Sequence, residues 1–233
     1  VLSDICSFFQ LNLTYDETEK VSKLPDLHSL CSFSRFFDGS IKNGVRYPVG
    51  MSGVRLEVET HIITASSSTL KNLTKTINEV GVEVVEMVFS GLASSESTVS
   101  STEKELGVVL VDIGGGTTSI AAFIDGGLSY SGVIPIGAKN VTNDLAIGLR
   151  VSLEGAEKIK IALSEKSRSK GEENSDYVDI SEFGVSETKK ISKKTLTEGI
   201  IKPRLNEIFT MVRMELERVG LANKIPSGVV ITG

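Results

Sequence analysis

The 233-residue chain has only two cysteines and two histidines, and these shortages exclude more chemistry than most of its motifs suggest. Cys6 and Cys31 are too few for a metal cluster or a disulfide framework. No histidine stands at ligand spacing from either, so both read as reduced structural thiols. His61 falls within an apolar-polar alternation and reads as a strand-surface residue, while His28 lies in an unpatterned stretch; neither receives a role. Without a Ser–His or Cys–His pairing, covalent nucleophilic catalysis has no footing. No run reaches the ~18 apolar residues of a membrane-spanning helix. The first residues lack the basic-then-apolar order of a secretory leader, so the expected compartment is the cytoplasm. A net charge of −5 offers no chain-wide attraction to nucleic acid, and no such partner is expected.

What is present is a globular composition with one informative loop. A hydrophobic content of 40% can fill a substantial core, in one large or two small domains. The loop is Asp112-Ile113-Gly114-Gly115-Gly116-Thr117-Thr118, set between the apolar run 107–111 and a second strand-like run, 119–125. In a P-loop or a dinucleotide fingerprint the glycines open a helix, so a strand-to-strand glycine turn argues against both. Three glycines can reach positive φ and carry no Cβ, leaving their N–H groups free to crowd an anion, with the Thr117 and Thr118 hydroxyls as further donors. An aspartate at the strand end suits a hydrated Mg²⁺ or the orientation of a water, which makes Asp112 the candidate for both. The loop reads as a phosphate cradle.

Around it the pattern alternates between strands and helices. Residues 1–44 hold five of the nine phenylalanines without a sustained period. Residues 54–59 alternate as a half-buried strand, and a second short strand follows. Ser66, Ser67 and Ser68 offer caps for a helix carrying Leu70, Leu73, Ile77 and Val80, which Gly81 stops. Residues 82–89 read as a mostly buried strand, 91–95 as a small-residue connection, and 94–105 as a Ser/Thr/Glu-rich turn ending in a boundary near Gly107. After the loop, a tight turn at Asp125-Gly126-Gly127 and a third strand complete a meander before a helix over 140–149. Ser152 caps the next helix, whose stripe is Ala156, Ile159 and Leu163; on the residues alone, Glu157 and Lys160 form a solvated pair. Residues 164–175 read as a charged surface excursion, followed by a short strand over 177–180. The apolar spacing of 195–219, broken at Pro203, predicts a long kinked helix whose charged side, Arg204 included, is solvated. A buried strand, 229–233, ends the chain.

This assembly resembles the actin/Hsp70/sugar-kinase superfamily, in which paired ribonuclease-H-like domains hold ATP between two phosphate hairpins. Residues 48–64, Gly91-Leu92-Ala93-Ser94-Ser95, Glu105-Leu106-Gly107 and 195–204 narrow the resemblance to the FtsA family of bacterial cell-division proteins, over roughly residues 46–233. The implied fold is α/β: a partial actin-like ATPase with a small inserted α+β domain called 1C. The resemblance divides the chain into a partial 1C domain of SHS2 type at 1–65, the end of the first ribonuclease-H-like domain at 66–105, subdomain 2A at 106–146, subdomain 2B at 147–224, and a return strand into 2A at 225–233. Residues 1–44 match only at Phe37-Asp38-Gly39, being either diverged 1C sequence or an altered stretch.

Residue by residue, the resemblance places Asp112, Gly114, Gly115, Gly116, Thr117 and Thr118 in the second phosphate loop, around the phosphates and Mg²⁺ of ATP. It places Glu157 and Lys160 against ribose and adenine, and Thr232 and Gly233 at the opening of the adenosine loop. It implies a protein that polymerises, binds the C-terminal tail of the tubulin-like FtsZ on 2B, meets later division proteins through 1C, and works at the cytoplasmic face of the membrane at the division site. The family's first phosphate hairpin and C-terminal membrane helix have no counterpart here, so an internal fragment with negligible ATPase activity is expected. A PilM-type pilus adaptor and a small-molecule kinase are the alternatives within the superfamily.

Overall fold

A computed structural model describes residues 8–13, 27–38, 56–166, 177–180 and 190–233, with side chains described for 61–164, 177–180 and 190–233. The side chains of Cys6, Cys31 and His28, and residues 167–175 of the charged excursion, lie outside the described residues. The chain divides into two compact units. One takes its described residues from Val1–Asp112, Ser119–Ile134 and Gly220–Gly233; the other comprises those of Ile113–Thr118 and Pro135–Val219.

Among the described residues the first unit holds two sheets. Strands β1 (Phe8–Leu13), β2 (Leu27–Asp38) and β3 (Leu56–Ser66) form an antiparallel sheet in the order β1-β3-β2, with a register shift between Ser29 and Cys31. Two strands thus occupy the stretch where no period was legible, and the two strands expected over 54–64 are one continuous strand. The second sheet has the order β6-β5-β4-β9, built from β4 (Val108–Ile113), β5 (Thr118–Ile124), β6 (Gly127–Ile134) and β9 (Val229–Thr232). Val108, Val109, Leu110 and Val111 are all fully buried, which is why β4 reads as an unbroken apolar run. The β5–β6 turn works because Asp125 and Gly126 both take left-handed backbone, at φ 48 and 70, as a two-residue hairpin requires. β9 runs parallel to β4 at the sheet edge. Its Val229 and Ile231 are exposed, correcting the expectation of a buried strand.

Among the described residues three helices precede β4. α1 (Ser67–Glu79) stops where Gly81 turns left-handed, at φ +83, as its sequence predicts. The expected strand over 82–89 does not form. Its backbone pairs with no strand among the described residues, Val82, Val85 and Val88 are exposed, and only Phe89 is buried. A β-run without a ladder partner has nothing to satisfy its N–H and C=O groups except water. α2 (Ser90–Thr98) replaces the expected connection, and α3 (Ser101–Leu106) the expected turn. α3 starts on a capping box in which Glu103 N–H donates to Ser100 Oγ and Ser100 N–H to Glu103 Oε2. Hydrogen bonds from the Ser100 hydroxyl first and the Ser100 N–H second hold Glu103 below its ordinary carboxylate pKa.

His61 is the main surprise of this unit. It is buried, at 7% exposure, with Nε2 3.0 Å from Ser131 Oγ across from β3 to β6. Burial pushes its pKa from 6.5 down to about 4. The unfolded chain therefore binds a proton between pH 6.5 and 4 that the folded chain refuses. Stability from this group is complete above pH 6.5 and falls as the pH drops to about 4, by up to about 3 kcal/mol. Urea unfolding at pH 7.5 and 4.5 should show a larger acid loss for the native chain than for His61→Gln. Equal losses would mean that His61 is not buried in its neutral form.

The second unit packs α4 (Ala138–Leu149), α5 (Leu153–Lys166), the antiparallel pair β7 (Tyr177–Asp179) and β8 (Lys190–Ser192), α6 (Lys193–Leu196), a π-helical turn (Thr197–Ile201) and α7 (Lys202–Arg218). Leu145, Ala156, Ile159, Ile180 and Leu196 are fully buried in its core. Ser152 accepts from Gly155 N–H at 3.1 Å and starts α5. The helix expected to be broken at Pro203 carries this wide turn just before the proline. Proline has no N–H to return to the carbonyl four residues back, and just before it Lys202 N–H bonds to Thr197 O, five residues back. Most charges on α7 form exposed pairs, as expected, but Arg204 does not. Its guanidinium bonds both Asp144 oxygens on α4, at 2.6 and 3.0 Å, and also reaches Glu207. Asp144 and Arg204 side chains are only 28% and 25% exposed, so this bidentate pair pins α7 to α4.

Candidate functional site

The glycine loop closes through one bond: Gly114 N–H donates to Thr117 O at 2.9 Å, leaving Gly115 and Gly116 as the exposed tip. None of the three glycines lies in the left-handed region, so backbone freedom is not what selects them. Space is. A Cβ on Gly115 or Gly116 would have no heavy atom within 4 Å, so the tip faces open room on the side where a side chain would stand.

The loop is gripped from α4. Ala138 N–H donates to Gly114 O at 2.9 Å and Lys139 N–H to Gly115 O at 2.8 Å. Two donors at the start of a helix, which lack partners within it, thereby satisfy two carbonyls of the turn. Gly137 precedes this contact and lets it form: a Cβ there would press on Gly114 O and stand 2.7 Å from Gly115 O. Asn140 Oδ1 accepts from Gly137 N–H at 3.1 Å and fixes the helix entry.

One turn along α4, about 6 Å from the loop grip by helical rise, Thr142 meets the predicted pair on α5. Glu157 Oε2 accepts from Lys160 Nζ at 2.8 Å and from Thr142 Oγ1 at 2.6 Å, and Lys160 Nζ also donates to Thr142 Oγ1 at 3.0 Å. The pair is therefore not freely solvated. Hydrogen bonds from Lys160 first and Thr142 second hold the Glu157 carboxyl below its ordinary range, so it is ionised at neutral pH.

Thr118 departs from its expected part. Its side chain is fully buried and its hydroxyl donates to Ile136 O at 2.8 Å, so the only proton it could offer a phosphate is committed to holding the hairpin. Thr117 remains half-buried, its hydroxyl without a partner among the described residues. In the first unit, Asp112 Oδ2 accepts from Ser94 Oγ at 3.1 Å, and Asp112 stands in register with Thr232 on the parallel β9, with Gly233 next. The second Asp112 oxygen has no hydrogen-bond partner among the described residues. No cluster of three His, Cys, Asp or Glu exists among the described residues, so a Mg²⁺ would be held through one carboxylate, water and phosphates rather than in a protein cage. Gly114, Gly115, Gly116, Thr117, Thr118, Glu157 and Lys160 fall in the second unit, and Asp112, Thr232 and Gly233 in the first.

Gly137, Thr142 and Ser94 went unread in the sequence. Gly137 had a signal, since it stands directly before a helix and after a strand; the two hydroxyl residues had none. The second unit also carries a groove of about 350 Å³ lined by Asp144, Ile147, Ile200, Pro203 and Arg204, where Ile147 is 77% exposed. No helix among the described residues is long and apolar enough to cross a membrane.

Compared with known proteins, residues 109–229 match the family model of the cell division protein FtsA, and residues 32–64 match the SHS2 domain inserted in FtsA. The cell division protein FtsA of Pseudomonas aeruginosa is 42% identical over 195 residues, covering 82% of this chain and 46% of the relative. That of Borreliella burgdorferi is 44% identical over 189 residues, covering 81% and 46%, and that of Escherichia coli K12 is 35% identical over 200, covering 82% and 47%. The chain spans about half the length of the curated relatives it matches. Among solved structures, a PilM-PilN type IV pilus biogenesis complex aligns over 98% of this chain and 59% of the other, with a TM-score of 0.59 and 17% identity. MreB5 of Spiroplasma citri bound to ADP aligns over 85% and 76%, with a TM-score of 0.56 and 16% identity. At such identities the likeness is one of fold. The architecture is α/β and actin-like, with an SHS2 insert.

Proposed function

The chain belongs to the FtsA family of cell-division proteins, and from that premise we propose that it is an ATP-binding, actin-like component that assembles into filaments and joins FtsZ to the cytoplasmic membrane. The observation that carries the nucleotide part is the exposed Gly115–Gly116 tip, open on its outer side and held by α4, with the Thr142–Glu157–Lys160 ring one turn along the same helix. Gly114, Gly115, Gly116 and Thr117 would face phosphates. Asp112 would hold Mg²⁺ through water or orient a water, Glu157 and Lys160 would meet ribose and adenine, and Thr232 and Gly233 would open the adenosine loop. The cation supplies charge neutralisation at the phosphates. MreB5 of the same fold has been solved with ADP, which supports the choice of ligand class.

The division part rests on the family match, which also ranks a division role above the pilus adaptor whose likeness is one of fold. In this reading the SHS2-matching segment meets later division proteins and residues 147–224 form the subdomain that takes the FtsZ tail. The groove beside Ile147 and Arg204 fits a short peptide, because it pairs an exposed apolar side chain with a fixed guanidinium. Fluorescence anisotropy with an FtsZ C-terminal tail peptide should give a tail affinity that Ile147→Glu lowers by at least about tenfold, or 1.4 kcal/mol, with ATP affinity unchanged. Tail binding indifferent to Ile147→Glu would remove the groove from the proposal, and no tail binding at all would remove the FtsZ link.

A further inference from the structure

The ring of Thr142, Glu157 and Lys160 is built more elaborately than a surface pair needs. An isolated Glu–Lys pair three residues apart on a helix contributes little, because holding two long side chains in one geometry costs rotamer entropy. Here a third member removes that freedom. Thr142 is 4% exposed, and its hydroxyl has one proton and two lone pairs. The proton goes to Glu157 Oε2 at 2.6 Å rather than to Ala138 O at 3.4 Å, and a lone pair takes Lys160 Nζ at 3.0 Å. The arrangement leaves Glu157 Oε1 as an acceptor and one Lys160 N–H as a donor, on side chains that are 45% and 25% exposed. A fixed carboxylate beside a fixed ammonium complements a vicinal diol, in which one hydroxyl donates while the other accepts.

We infer that Thr142 is the positioning residue that makes Glu157 and Lys160 select a ribonucleotide over its 2′-deoxy counterpart, a reading that rests on the nucleotide site proposed above. Without the Thr142 hydroxyl, Glu157 and Lys160 keep their charges and their mutual attraction but lose the bond that fixes both against α4. A site whose polar groups are prepared for a hydroxyl disfavours a ligand lacking it, since those groups are then left unpaired. Thr142 has this effect without touching the nucleotide.

The test measures ATP and 2′-deoxy-ATP affinities by isothermal titration for the unmodified chain, Thr142→Val and Thr142→Ser, with circular dichroism as the check on folding. The unmodified chain should prefer ATP by roughly tenfold, the scale of one hydrogen bond to a charged group. In Thr142→Val the preference should fall to within about twofold, mainly through weaker ATP binding, and in Thr142→Ser it should return. If Thr142→Val does not fold, Thr142→Ala is read in the same way. An unchanged ATP preference in the hydroxyl-free variant, or equal affinities in the unmodified chain, overturns the role of Thr142 and leaves the nucleotide site standing. An unmodified chain that binds neither nucleotide overturns the site and this inference together.

Discussion

Replacing Gly115 by valine is expected to weaken ATP binding at least about a hundredfold, or 2.7 kcal/mol, while leaving the fold intact. The two halves of that expectation have one cause. Gly115 is exposed, its backbone is outside the left-handed region, and a Cβ there meets no heavy atom within 4 Å. Valine therefore introduces neither backbone strain nor a clash in the free protein, and stability should change by no more than about 0.5 kcal/mol. A phosphate oxygen must come within about 2.9 Å of a backbone N–H to be bound, and a branched side chain at the tip occupies that approach. Isothermal titration with Mg-ATP and urea unfolding separate the two effects. A folded variant with undiminished ATP affinity would sink the phosphate-loop assignment. A large loss of stability would show that the tip is not open.

That expectation was legible in sequence because the chemistry of the hairpin is contiguous. Asp112, three glycines and two threonines lie between apolar runs, and a two-strand turn can be read wherever strands and turn residues are neighbours. The stop at Gly81 and the cap at Ser152 were legible for the same reason: each is a local bond between residues a few positions apart. That backbone freedom plays no part was not legible, because positive φ and a missing Cβ ask for the same residue. Only the backbone distinguishes them.

The misreadings follow from what periodicity cannot encode. Residues 82–89 have the composition of a strand, but a strand is a relation between two segments, and no described segment pairs with this one. α2 went unseen because its buried face is Gly91, Leu92 and Ser95. Small residues let a helix approach closely without giving the apolar stripe by which helices are recognised. His61 with Ser131, separated by 70 positions, and Asp144 with Arg204, separated by 60, are side-chain contacts that no window of sequence contains. Thr142 is the same case at shorter range. Nothing in its own stretch shows that Glu157, 15 positions on, will take its proton.

Gly137→Ala should be the most damaging single methyl in the second unit, and should lower both stability and nucleotide affinity. Its backbone is extended, at φ −159, which any residue adopts, so the cost is entirely one of space. The added carbon would press on Gly114 O and stand 2.7 Å from Gly115 O, and both are backbone atoms held by hydrogen bonds to Ala138 and Lys139. A flexible side chain could swing away; a carbonyl so held cannot move without breaking the grip of α4 on the loop. Overpacking of this kind costs roughly 1–3 kcal/mol, and the carbonyls displaced are those of the turn that presents Gly115 and Gly116. Urea unfolding should show that loss of stability, and ATP titration a loss of about tenfold or more, the scale of 1.4 kcal/mol of misplaced contacts. Paired with Gly115→Val, the variant separates two uses of glycine around one hairpin: at 115 the missing Cβ leaves room for a ligand, and at 137, before α4, it leaves room for the loop itself. Gly137→Ala with native stability and native affinity would mean that the helix start yields to the added methyl. The loop would then not be held rigidly by α4, and the role given to Thr142 on the same helix would lose its mechanical basis.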